Sequence, residues 1–202
     1  MHLPKIFLHN NLIFYFITKL MLYYIHGYLS NPNSTKGTLF KEKLNAKAIK
    51  YRDCKPEDLV ISDCLNLIKK EIKDDKNVVL IGSSLGGFLA AKTALENNKV
   101  KQIILLNPAI IPPSVDITKI QGMSQRILHD MQDKRLFKER IATKIFILIG
   151  TKDEVLPLNW VIEFAKAQEA TVRFLHDDHS FTNNINQLSD IIATILDKNI
   201  KK

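Results

Sequence analysis

Too few cysteines are present for a disulfide-stapled scaffold: the chain of 202 residues has two, Cys54 and Cys64. Neither has a CxxC neighbour or a histidine at metal-ligand spacing, so no structural metal is expected and both thiols are expected to be reduced and packed, as in a cytoplasmic protein. Seven glycines and seven prolines exclude a collagen-like or low-complexity chain. Long apolar runs are also lacking. The richest N-terminal ones, Ile6-Phe7-Leu8 and Leu12 to Ile17, are separated by His9-Asn10-Asn11, and neither approaches the roughly 20 residues a membrane helix needs. Thr18-Lys19-Leu20-Met21 supplies no small-residue cleavage site for a signal peptide. Residues 1–20 therefore read as a non-core extension from an upstream start codon, with Met21 as the native start and 21–202 as one domain. Phosphate-loop endings and G-x-G-x-x-G spacing are missing too, and no cofactor is expected.

Lys plus Arg exceed Asp plus Glu by 29 to 21, a net +8, with small clusters at 41–50, 134–140 and 198–202. The excess is distributed and is not interleaved with aromatics, so it reads as solvated surface. Neither a nucleic-acid partner nor stable membrane insertion is expected.

A composition 46% hydrophobic and 25% charged is that of an ordinary globular domain. Continuous apolar runs at Met21–Ile25, Val78–Ile81, Ile103–Leu106 and Ile145–Ile149 read as strands buried on both faces, with a further strand at Thr171–Leu175 and a short one over 46–51. Between them lie a helix over 34–45, an amphipathic helix from Glu57 to about Lys73, one ending near Asn97-Asn98, one through Trp160 and Phe164, and a closing helix with Leu188, Ile191, Ile192, Ile195 and Leu196 on one face. The expected fold class is α/β: a mostly parallel sheet of five or six strands flanked by helices. Residues 108–140 are the least regular. After Pro112-Pro113, Ile117, Ile120, Met123, Ile127 and Met131 suggest a loosely amphipathic helix, either a small cap-like insertion over a pocket or an ordinary crossover.

The chemistry concentrates at strand ends. Gly82-Ser83-Ser84-Leu85-Gly86 fits the G-x-S-x-G nucleophile elbow, in which Gly82 and Gly86 let strand and helix approach closely. A tight strand-to-helix turn could use the same residues without catalysis. Three other segments nevertheless follow strands in the matching order: His26-Gly27-Tyr28, Asp153 after Gly150, and His179 after the last strand. A serine hydroxyl needs a neutral imidazole to take its proton, and the imidazole needs a carboxylate to fix its tautomer. Ser84, His179 and Asp153 are the candidates, with Tyr28 and Leu85 N–H groups for the oxyanion. Glu154 rivals Asp153, which could instead cap a helix. His176 rivals His179, but it abuts the apolar run and is expected to turn into it. A metal site at the four-residue cluster His176-Asp177-Asp178-His179 is not expected, since no further partner group of ligand type is placed elsewhere to complete it.

With Tyr24-Ile25-His26-Gly27-Tyr28-Leu29-Ser30-Asn31-Pro32, Leu106-Asn107-Pro108-Ala109 and Asp178-His179-Ser180-Phe181 added to the elbow and to Gly150-Thr151-Lys152-Asp153-Glu154-Val155-Leu156, residues 21 to 200 resemble the small bacterial YqiA-type esterases, a compact branch of the α/β-hydrolases. The resemblance implies that a carboxylic ester or thioester is cleaved through Ser84, Asp153 and His179, with Tyr28 and Leu85 as oxyanion donors. Asp177-Asp178 depart from the small residue expected before the histidine; a carboxylate there would raise the histidine's pKa or face solvent. Lactone or amide cleavage on the same triad, and a non-enzymatic anion-binding protein, are the alternatives. The sequence leaves the oligomeric state open.

Overall fold

The computed structural model describes residues 20–197. The reading of 1–20 as an extension falls, except at Leu20, outside the described residues. Strand β1 spans Met21–Ile25, β2 Lys47–Ala48, β3 Val78–Ser83, β4 Val100–Leu106, β5 Lys144–Gly150 and β6 Thr171–Leu175. Together they form one parallel sheet in the order β2-β1-β3-β4-β5-β6. β3 is buried at all six positions, and its neighbours β1 and β4 are buried at most of theirs.

Helices cover both faces, which is why the central strands are apolar without alternation. On one face Leu80, Ile103, Leu105, Ile145 and Ile147 pack with α2 (Ile61–Glu71), α3 (Leu85–Glu96), α4 (Gln125–Met131), the single turn α5 (Arg135–Lys138) and α6 (Leu158–Gln168). On the other, Val79, Ile81, Ile104, Leu106 and Leu148 pack with α1 (Thr35–Leu44) and α7 (Ile185–Asp197). The α7 stripe predicted from the sequence, Leu188 through Leu196, is buried in this second core. The sheet edges differ from its centre: β2 has only two residues, and β6 exposes Thr171, Arg173 and Phe174.

Several boundaries depart from the sequence reading. The helix expected from Glu57 is a 3₁₀ turn at Pro56–Asp58, an extended Leu59-Val60 pair, and then α2 from Ile61. Leu59 is fully buried in that extended conformation, and Val60, whose apolar side chain fits the helical spacing, is extended at φ −115°, ψ 121° and precedes the helix. The strand expected over 46–51 shrinks to β2 because Tyr51 leaves the ladder and turns its hydroxyl to the carbonyls of His26 and Gly27. The helix expected after Pro113 is broken: a 3₁₀ turn at Ile117–Lys119 is separated from α4 by Gly122 at φ 82°. Cys64 is buried but Cys54 is exposed, contrary to the expectation that both pack.

The 108–140 segment is tied to the helix after the elbow. Lys92 of α3 pairs with Asp133 and, at 3.3 Å, with Glu96, while Arg135 reaches Glu96 at 2.8 Å and Asp133 at 3.0 Å. Lys92 and Asp133 are largely removed from solvent, and each has a second partner of opposite charge, Glu96 for Lys92 and Arg135 for Asp133, so the four groups form one network.

Candidate active site

β3 ends at Ser83 and α3 begins at Leu85, leaving Ser84 alone on the turn at φ 54°, ψ −120°. That conformation is costly for any residue with a β-carbon and persists only where surrounding contacts impose it. Here Ser84 N–H donates to Leu106 O at 3.0 Å, and Ser84 O accepts from Gly87 N at 2.8 Å and Ala109 N at 3.0 Å. The flanking glycines have a steric role. A Cβ on Gly82 would lie 2.3 Å from Gly86 O, and one on Gly86 would lie 2.0 Å from Ile25 O, both impossible contacts. The sheet order reverses between β1 and β3, which places Ser84 beside the loop following β1, in the crevice where open parallel sheets bind ligands.

That loop is held from below. The buried His26 ring stacks on Tyr51 with centroids 4.3 Å apart, and its Nδ1–H donates to Gly27 O at 2.9 Å. Tyr51 hydroxyl lies 3.2 Å from both His26 O and Gly27 O. Arg52 Nη2 donates to Tyr28 O at 2.6 Å and Ser30 O at 2.9 Å. Burial, assisted by the Arg52 charge and opposed by the Gly27 carbonyl, pulls the His26 pKa down to about 4, so its ring is neutral at neutral pH. The Tyr28 and Leu85 N–H groups have no acceptor among the hydrogen bonds of the described residues.

Asp153 and His179 meet. His179 Nδ1 lies 2.8 Å from Asp153 Oδ2, and a carboxylate partner makes that nitrogen the donor, leaving Nε2 as acceptor on the neutral ring. Asp153 Oδ1 accepts from Val155 N at 2.8 Å and Leu156 N at 3.0 Å. Burial pushes the Asp153 carboxyl up, but the His179 ring and the two backbone donors outweigh it and hold the group below the usual carboxylate range. The rival Glu154 reaches only the His179 backbone N–H, at 3.4 Å. His176 is exposed rather than turned inward, because alternation beyond β6 buries Leu175 and Asp177 and leaves the residue between them outside. The Asp177 carboxylate neither approaches the ring nor faces solvent. It is buried and accepts from Asp178 N, Asn183 N, Asn184 N and Asn184 Nδ2, all within 3.0 Å.

Asn107, at the end of β4, is a residue whose importance the sequence did not reveal. Fully buried and at φ 42°, it accepts from Gly150 N at 2.8 Å through Oδ1 and donates through Nδ2 to Asp178 O at 3.2 Å and His179 O at 3.1 Å. One amide thereby couples the loops carrying Asp153 and His179. Its signal was an asparagine at a strand end, a residue type that tolerates the left-handed region. Tyr51 and Arg52 gave no comparable signal, since their partners are backbone atoms about 24 residues away.

Ser84, Leu85, Tyr28 and His179 all line a cavity of about 500 Å³. Ala109, Ile111, Ile120, Met123, Leu128, Met131 and Trp160 form an apolar wall, so the 108–140 segment borders the cavity as a cap would. No group of three or more His, Cys, Asp or Glu among the described residues is placed to hold a metal ion. No described helix is long and apolar enough to cross a membrane.

The parallel sheet, its helical layers and the strand-end crevice have the form of the α/β-hydrolase fold. The chain belongs to the uncharacterised protein family UPF0227, the YqiA-like group that the sequence resembles, whose model matches residues 21–195. No curated protein matches the chain in sequence. Among solved structures, the chain is similar to Est1E from Butyrivibrio proteoclasticus with ferulic acid bound, at 17% identity and a TM-score of 0.72, covering 90% of each chain. It is similar to a Pyrococcus furiosus esterase, at 17% identity and a TM-score of 0.68 over 88% of this chain and 82% of that one. Mouse alpha/beta hydrolase domain-containing protein 10 gives 19% identity and a TM-score of 0.65 over 88% and 89%. At these identities the likeness is one of fold.

Proposed function

We propose that the protein is a serine hydrolase cleaving carboxylic esters through an acyl-Ser84 intermediate. The observation that carries the reading is Ser84 at φ 54° on the turn after β3, opening into the same cavity as a histidine whose Nδ1 is bonded to Asp153. In the reaction His179 Nε2 takes the Ser84 proton as Oγ attacks the ester carbonyl, and the imidazolium then protonates the departing alkoxide. Water, deprotonated by the same nitrogen, releases the acid and restores the serine. The N–H groups of Leu85 and Tyr28 hold the oxyanion, each such donor typically contributing roughly 100- to 1,000-fold in rate. Asp153 keeps the ring in the productive tautomer.

The esterase names among the fold neighbours and the family resemblance agree with ester bonds as the target. Because Est1E binds ferulic acid, aryl esters belong in the first substrate panel. A fluorophosphonate probe tests the nucleophile: the native protein labels at Ser84 and Ser84→Ala does not. Equal labelling of the two would sink the assignment.

A further inference from the structure

We infer that Lys36 forms an anion subsite on the leaving-group side of the cavity, so that the substrates are esters with an apolar acyl chain and an alcohol carrying a carboxylate or phosphate. The inference rests on the serine-hydrolase reading of the same site and specifies its substrate class. Lys36 is the only Lys, Arg, Asp or Glu among the described residues lining the cavity. It stands on α1, whose side chains pack into the core on one face of the sheet. The apolar wall of Ala109, Ile111, Leu128 and Met131 belongs to the core on the other face. Ser84, at the end of a strand between the two layers, therefore has an apolar flank and a cationic one.

Three observations make Lys36 a recognition group rather than a solvated surface charge. Its Nζ is held in place, donating to Ser180 O at 2.7 Å and sitting 5.9 Å from the centroid of the Phe181 ring. No carboxylate of a described residue lies within ion-pairing distance of it: the nearby Asp177 is filled by its four loop donors, and Asp178 accepts from Thr182 N. An ammonium has three donors, and Ser180 takes one. Burial draws the Lys36 pKa below its ordinary value, as expected of a cation partly withdrawn from water without a bonded counter-charge, while the more distant Asp178 and Asp177 oppose the shift.

The identity of the neighbour fixes which half of the substrate the cation meets. His179 must deliver its proton to the departing alkoxide, so the alcohol lies on the histidine's side of the acyl carbon. Ser180 is the next residue, and Lys36 is bonded to it. The acyl chain is left the apolar wall.

The test compares phenyl butanoate with 3-carboxyphenyl butanoate in the native protein, Lys36→Met and Lys36→Arg. A charge-assisted contact implies a kcat/KM preference for the carboxylate ester of about ten-fold or more over its intrinsic reactivity, falling with added salt. Lys36→Met is expected to lower the carboxylate ester's kcat/KM by about that factor more than the neutral ester's, and Lys36→Arg to keep most of the preference. Damage to the His179 loop lowers both esters by the same factor. That result, or a preference unmoved by Lys36→Met, would falsify the subsite and leave the hydrolase reading intact. The same holds if Ser84 takes the fluorophosphonate but neither ester turns over. Failure of probe labelling together with both esters overturns the two readings at once.

Discussion

At the residue scale, two neighbouring carboxylates of opposite fate make the sharpest comparison. Asp153 holds the His179 ring by a 2.8 Å contact, whereas Glu154 touches only that residue's backbone N–H at 3.4 Å. On the serine-hydrolase reading, Asp153→Asn leaves a neutral amide beside Nδ1 and favours the wrong tautomer, and kcat is expected to fall roughly 1,000-fold or more. Glu154→Gln keeps an oxygen acceptor for the His179 N–H and is expected to change kcat less than about three-fold, the scale of an exposed contact. Steady-state kinetics on one ester would measure both. A large loss in Glu154→Gln with a small one in Asp153→Asn would reverse the assignment. The Asp153 and His179 pair was legible in the sequence because both follow strands, in the order serine, acid, histidine. The Asp177 role was not, because a carboxylate that accepts from its own loop has no periodicity or spacing to announce it.

At the element scale, the ends of three adjacent strands are fastened by one side chain. Asn107 closes β4 and bonds the last residue of β5 and two carbonyls in the loop after β6. Asn107→Ala leaves a buried N–H and two carbonyls without this partner, costing about 1–3 kcal/mol in urea unfolding. Because the freed loops carry Asp153 and His179, kcat is expected to fall further than KM rises, which a purely structural loss away from the cavity would not produce. The strands themselves were readable as unbroken apolar runs, and α7 as a stripe at helical spacing. Less was readable in the 108–140 segment. Its apolar residues face both a core and a cavity, so their spacing follows no single helical face, and the left-handed Gly122 cuts the helix that their spacing predicts.

At the scale of the whole molecule, the buried and bonded titratable groups set an acid-sensitive stability with two stages. His26 is neutral in the fold with a pKa near 4, against about 6.5 unfolded, so the unfolded chain binds more protons between those values and stability falls as pH drops through that window. Such a shift amounts to about 3 kcal/mol at most. The second stage belongs to Asp153, Asp177 and Glu96, whose carboxyls lie below their ordinary values in the fold, Glu96 at about 2. Their contribution is complete above the unfolded carboxylate value of about 4 and is lost as pH falls through the lower folded ones. Urea denaturation from pH 7 to 3 is expected to show both stages. His26→Gln should flatten the slope between pH 6.5 and 4 and leave the lower one.

The outward order of β3, β4, β5 and β6 in the sheet, which follows their order in the chain, also governs timing. A chain leaving the ribosome has already made the Tyr28 loop and the Ser84 turn when β4 pairs with β3, yet Asp153 and His179 lie in the loops that follow the last two strands to be synthesised, and Asn107 at the end of β4 bonds the backbone of both connections. On the proposed mechanism the nascent protein carries an unactivated serine until β6 adds itself to the exposed edge. Reactivity arrives with the final strand, after the rest of the sheet is in place.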